Sequence, residues 1–166
     1  TVLPEIFSKL DKKSLPKYIH KYLKLGGLEI PFNTDSWDGY PKERDKLFEI
    51  LSKSQSNIIL TGDTHNSWLS NLFNNNKFLG VEIATPSISS PNTIDRFGTI
   101  TDDIDSNFIK SNKNLKYTNG SGKGFVQLTI YSSRIDTKFV YVSTIKSKDY
   151  KVIDNNTFTI SHNKPL

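Results

Sequence analysis

The stretch Asn57-Ile-Ile-Leu-Thr-Gly-Asp63-Thr-His65-Asn66 constrains the fold most: a short apolar strand runs into a glycine turn that presents an Asp and a His two residues apart. An apolar run of this length bounded by a turn signal predicts a buried strand over Asn57 to Leu60 of an α/β sheet. Ligands in such sheets gather outside the carboxyl ends of strands. Carboxylate oxygen and imidazole nitrogen suit borderline and hard cations, and Gly62 is expected to supply the tight backbone that brings Asp63 and His65 to one ion. The plain structural alternative is an Asp that caps the next segment and a His that pairs with it. His20 falls in a helical pattern and His162 near the end of the sequence, so neither is an obvious third ligand.

With 166 residues and 35% hydrophobic content, the chain has material for one packed domain. It contains no Cys, which excludes disulfide scaffolds, Cys-ligated zinc and thiol catalysis. No apolar run approaches the roughly 20 residues of a membrane-spanning helix. The absence of Met, together with an amino end that lacks a signal-peptide pattern, leads us to expect a piece of a longer polypeptide. The net charge of +5 comes from 19 Lys and 3 Arg scattered along a chain with 15 Asn. Nucleic-acid binders concentrate their cations on one face, so no nucleic-acid readout is expected.

Periodicity places helices over Leu15 to Leu25, capped by Ser14, and from Pro41 to about Ser52, where Leu47, Phe48 and Leu51 face inward. An apolar segment at Trp68 to Phe73, a loop tip at Asn74 to Lys77 and a strand at Val81 to Thr85 follow. Pro86 to Thr118 reads as a long functional loop. Phe125 to Tyr131 and Lys138 to Thr144 alternate and predict antiparallel strands separated by Ser132 to Thr137. A weak pair, Lys151 to Ile153 and Thr157 to Ile160, flanks Asp154 to Asn156. The expected class is α/β, with helices in the first half and mostly antiparallel strands in the second, as a single partial domain over residues 1–166. Residues from about 145 to 166 form a carboxyl-terminal extension.

Asn119-Gly-Ser-Gly-Lys-Gly124 invites a phosphate-loop reading and fails it, because Tyr117 and Gly124 stand where a Walker loop needs Gly and Ser or Thr, and a strand follows. Asp102, Asp103, Asp105 and Asn107 begin like a calcium loop, yet Phe108 replaces the turn Gly and Asn114 the bidentate Glu, so a solvated acidic loop is expected. In Asp35-Ser-Trp37-Asp38-Gly39-Tyr40-Pro41, either the aromatics plug the core or they form a substrate-pocket wall with Tyr40 or Arg44 directed at a phosphate.

Three segments in order, Asp35 to Arg44, Asn57 to Trp68 and Gly80 to Ser90, together resemble the carboxyl-terminal half of PhoD-like alkaline phosphatases of the calcineurin-like metallophosphoesterase superfamily. Lys123 to Tyr131 is similar to the strand that follows in that family. The resemblance covers roughly Asn33 to Ser143 and implies part of a layered α/β sandwich. It implies metal-dependent hydrolysis of phosphate mono- or diesters, with calcium and iron as the ions. Asp63 and His65 would be metal ligands, Asn66 would contact phosphate or orient the nucleophile, and Trp37, Tyr40 and Arg44 would shape the pocket. The superfamily's earlier motifs are absent here, so the chain would need the amino-terminal half of the same protein to complete the site. Family members are usually exported, which implies a secreted, periplasmic or cell-surface location. The competing expectation is a non-catalytic binding or interaction module with a structural Asp-His turn.

Overall fold

A computed structural model describes residues 34–92, 95 and 104–166, and the helix expected over Leu15 to Leu25 lies outside them. After a 3-10 turn at Trp37–Gly39, helix α1 spans Pro41–Leu51, with Pro41 in the first turn where its missing N–H costs nothing. Leu47, Phe48 and Leu51 are half-buried, while Lys42, Glu43, Asp45, Lys46 and Glu49 face solvent. Asn57 closes the helix end. Its Nδ2 donates to the carbonyls of Leu51, at 2.9 Å, and Leu79, at 2.6 Å.

Three strands follow: β1 (Asn57–Thr61), β2 (Ser67–Asn74) and β3 (Lys77–Ala84). The hairpin between β2 and β3 turns at Asn75, whose φ of 54° is one that Asn tolerates better than most residues. β3 lies between β1, which runs parallel to it, and β2, which runs antiparallel. The approach of β1 requires Gly80, since a Cβ there would lie 2.1 Å from the Asn57 carbonyl oxygen. Among the described residues β1 is an edge strand with β3 as its one neighbour, and Leu60 is 63% exposed. The expectation of a fully buried strand therefore fails, because an edge position leaves one flank uncovered.

The stretch read as one long loop contains helix α2 (Ile104–Ser111) and strand β4 (Leu115–Asn119), and β4 pairs with β2 to complete the sheet order β1-β3-β2-β4. Asp105 is thus helical rather than part of an acidic loop, and Asp102 and Asp103 lie outside the described residues. α2 also places a helix in the second half of the chain. Phe108 of α2 meets Trp68 edge-on at 5.2 Å.

β5 (Gly124–Ile130), β6 (Arg134–Val142) and β7 (Val152–Ser161) form a separate antiparallel sheet. β6 begins earlier than the alternation indicates, so only Tyr131 to Ser133 separate it from β5. Asp154 to Asn156 do not interrupt β7, which pairs continuously with β6 apart from one irregularity at Tyr141/Val142. This strand lies in the stretch read as an extension, and its Ile160 is buried in the core.

The two sheets share one core, with Leu69, Val81 and Ile83 from the first and Phe139, Tyr141 and Ile160 from the second. Both sheets belong to an α/β fold in which β1 and β3 form the parallel pair. A buried polar chain crosses this core. Tyr141 donates its hydroxyl proton to Ser67 Oγ at 2.7 Å. Tyr117 must then donate to Tyr141, at 2.8 Å, and it accepts from Asn156 Nδ2 at 3.0 Å. Truncating Tyr141 to Phe should destabilise the protein by about 1–3 kcal/mol, since partners of a buried hydroxyl are left unsatisfied. Urea denaturation of the variant checks this, and an unchanged midpoint would show that the chain contributes nothing.

Glu82 sits mid-strand in β3, accepting from Thr61 Oγ1 at 3.1 Å. Burial pushes its carboxyl above the usual range, and the Thr61 hydrogen bond only partly opposes this. The folded state then holds the proton more tightly than the unfolded state, so stability is greatest below the unfolded value, near 4.3, and falls as pH rises through the raised one. Glu82→Gln should therefore be more stable than wild type at pH 7 and gain little at pH 4, as measured by denaturation at both. Lower stability at both values would contradict this account.

Candidate metal corner at the carboxyl ends of β1 and β3

Because β1 and β3 are parallel while β2 and β4 alternate in direction, one end of the first sheet collects three connections. Residues 62–66 cross from β1 to β2, residues 85–92 leave β3, and residues 120–123 leave β4 toward β5. The ends of the parallel pair are joined by Thr85 N–H donating to the Thr61 carbonyl at 3.0 Å. This is the position at which α/β sheets gather ligands.

The crossing turn is formed differently from the expectation. Gly62 has no positive φ, and a Cβ there would make only an ordinary 3.8 Å contact with Thr85. Asp63 and His65 themselves take positive φ, 65° and 63°, around a tight Thr64 N–H to Gly62 carbonyl bond of 2.8 Å. Asp and His enter this region more often than most residues, though each such conformation costs of order 1 kcal/mol or more and persists only where the surroundings impose it. Trp68 contributes to that, its indole N–H donating to Thr64 Oγ1 at 3.0 Å.

Asp63 is exposed, His65 is half-buried and Asn66 is buried, at 7% exposure. His65 Nδ1 lies 2.7 Å from the Pro91 carbonyl oxygen. A carbonyl only accepts, so Nδ1 carries a proton, and in the neutral imidazole Nε2 is then the nitrogen with the lone pair. That is the second-sphere arrangement of a metal-binding histidine, whose other ring nitrogen donates to a carbonyl or carboxylate. The Asp63 carboxylate makes no hydrogen bond or ion pair among the described residues. One oxygen donor and one nitrogen donor on one turn fit part of a coordination shell. Among the described residues no group of three or more His, Cys, Asp or Glu is placed to hold a metal ion.

Trp37 and Tyr40 are 48% and 55% exposed, so they do not plug the core. Arg44 pairs with Asp38 at 2.8 Å, and its Nε is buried without a partner. No hydrogen bond or ion pair joins Trp37, Tyr40 or Arg44 to the Asp63–Asn66 turn among the described residues.

Sequence reasoning missed Pro91, because a backbone carbonyl has no side-chain signature, and it missed Asp95 and Lys123. Lys123 Nζ pairs with Asp95 at 2.6 Å and donates to the Ser90 carbonyl. Asn92 and Asp95 exchange reciprocal bonds of 3.1 Å between side chain and backbone, in the manner of a capping box. The Lys123 ammonium holds the Asp95 carboxyl below its usual range, assisted by the Asn92 amide. The glycine-rich approach to β5 spends its amides internally. Gly120 N–H donates to the Asp105 carboxylate at 3.1 and 3.2 Å, and Ser121 and Gly122 N–H donate to Asn119 Oδ1 at 2.9 and 2.6 Å. It is a structural turn, which agrees with its failure as a phosphate loop.

Comparison with known proteins decides the family. The sequence pattern of the PhoD-like phosphatase family matches residues 5–139. The chain belongs to the PhoD-like phosphatases. It is 34% identical over 106 residues to alkaline phosphatase D of Bacillus subtilis (strain 168), a match that covers 60% of this chain and 17% of that protein. A solved structure of PhoD superposes with a TM-score of 0.61 at 23% identity, covering 76% of this chain and 25% of the other, and it supports the fold. The chain thus spans about a sixth to a quarter of the length of the relatives it matches.

Gly122 packs directly under the Tyr141 ring, where an added Cβ would lie 2.3 Å from Cδ1. Gly122→Ala should cost about 1–3 kcal/mol through overpacking. Thermal denaturation checks this, and an unchanged transition would mean that the turn gives way freely.

Proposed function

We propose that this PhoD-like chain contributes Asp63 and His65 to a metal centre that hydrolyses phosphate mono- or diesters, the remaining ligands coming from the amino-terminal half of the same protein. The observation that carries the reading is the His65 Nδ1 bond to Pro91, which in the neutral ring leaves the Nε2 lone pair on the same turn as a carboxylate that makes no hydrogen bond or ion pair among the described residues. Backbone strain at both residues points the same way, since such conformations cluster at functional sites. A His paired with Asp63 would have supported the structural alternative, but His65 bonds to Pro91 instead.

Bound ions, with calcium and iron the candidates from the family resemblance, would acidify a water and stabilise charge on the phosphoryl oxygens. The chain's own residues would orient and hold. His65 is fixed in the tautomer that offers Nε2, and Asp63 presents an exposed carboxylate. Asn66 would contact phosphate or orient the nucleophile. Trp37, Tyr40 and Arg44 would shape a pocket wall, with Asp38 keeping the Arg44 guanidinium in place. These two donors alone would not retain a hydrolytic ion, so residues 1–166 by themselves should be nearly inactive. An exported location follows from the family resemblance, and among the described residues no helix is long and apolar enough to cross a membrane.

In the full-length protein, Asp63→Ala and His65→Ala should each lower phosphatase activity by about 100-fold or more, given that even outer-sphere changes at metal sites cost 10–100-fold. Metal content measured by atomic emission should fall with the activity. Full activity and unchanged metal in both variants would overturn the proposal. Tight partner binding without metal or esterase activity would favour an interaction module.

A further inference from the structure

Lys123 is the feature of this end of the sheet that the metal reading leaves without a role. Its side chain is only 11% exposed, and its ammonium reaches back to the Ser90 carbonyl and the Asp95 carboxylate. Those two acceptors bracket Pro91, the residue whose carbonyl receives the His65 Nδ1 proton. We propose that Lys123 is a positioning residue for His65: by clamping the segment after β3 at Ser90 and Asp95, it fixes the Pro91 carbonyl that selects the imidazole tautomer and ring orientation.

Three observations support this. The segment from residue 85 to 92 has no strand or helix to hold it, so its conformation depends on tertiary contacts. The Gly124 N–H to Ser87 carbonyl bond, at 3.1 Å, anchors it near one end, and the Lys123 contacts anchor it at the other. Asn92 is 2% exposed and its Nδ2 has no partner among the described residues, so the described segment carries a buried donor that its own contacts do not compensate. An ammonium with two acceptors, one of them a carboxylate, makes charge-assisted hydrogen bonds that hold such a conformation. A direct role for Lys123 on the phosphate is less well served, because two of its three N–H donors are already directed at protein oxygens.

The inference rests on His65 being a ligand, and the experiment separates the two. In the full-length protein, metal-stripped and labelled with 15N-histidine, the ring nitrogen shifts should report His65 protonated at Nδ1. In Lys123→Met, which keeps the length and apolar stem of the side chain, His65 should become a mixture of tautomers. Calorimetric affinity for Mn2+ should fall by about 10-fold. Lys123→Arg, which keeps charged donors, should restore most of both. Should Lys123→Met fail to fold, Asp95→Asn, altered at the half-exposed partner, should move the tautomer in the same direction by a smaller amount. An unchanged His65 tautomer in a folded Lys123→Met protein, or in Asp95→Asn where the former does not fold, would overturn the inference. A tautomer shift with unchanged Mn2+ binding would uphold the positioning role and overturn the reading of His65 as a ligand.

Discussion

The hydrogen bond from Tyr141 to Ser67 ties the second sheet to the point at which the Asp63–Asn66 turn ends. Tyr141 is 1% exposed near the end of β6, and Ser67, fully buried, is the first residue of β2 after the Asp63–Asn66 turn. A hydroxyl in that position must find a partner or bear its full desolvation cost, so the packing of the two sheets and the start of β2 are set together. The same ring faces Gly122, which shapes the approach to β5 and thereby the place from which Lys123 departs. One buried aromatic residue thus packs against both the strand start that follows the Asp63–Asn66 turn and the loop that leads to Lys123.

The consequence is a corner whose donors stand on strained backbone without being loose. Two positive-φ residues separated by one position would relax if the turn were isolated. Here β1 is held by parallel pairing to β3, β2 by the Tyr141 contact, and the middle of the turn by the Trp68 indole, itself wedged against Phe108 of α2. The strain is carried by elements on three sides. α2 is in turn linked to the same end through Asp105, which accepts the Gly120 amide even though burial raises its carboxyl above the usual range.

How much of this was legible depended on how local the cause was. The apolar run ending in Gly62-Asp63-Thr64-His65 identified the strand and the turn after it, because alternation and turn chemistry act within a few residues. The carbonyl that meets His65 Nδ1 was illegible, since Pro91 lies 26 residues from His65 and acts through its backbone. Lys123 was visible only as part of a failed phosphate loop. Its partners stand 33 and 28 residues away, a proximity created by the β2–β4 pairing. α2 was hidden by Ser, Asn and Asp, residues that favour turns when read singly, although Ile104 and Phe108 hold the helical spacing. Asp154-Asn155-Asn156 failed as a turn for the opposite reason. β6 is long enough to pair with it, and an extended partner overrides weak local preference.

The arrangement around His65 also bears on why a partial donor set would be built so firmly. A histidine free to exchange tautomers and rotamers must be ordered when a ion binds, and that ordering subtracts from affinity. With the Nδ1 proton already committed to Pro91, the ring offers Nε2 in one orientation before any ligand arrives. Asp63 beside it, exposed and without a hydrogen bond or ion pair among the described residues, would add negative charge in the proposed centre. In the proposed centre, then, this corner would be the pre-formed part. The donors that complete it could be less rigidly held and still gather on an ion whose first two contacts cost little to make.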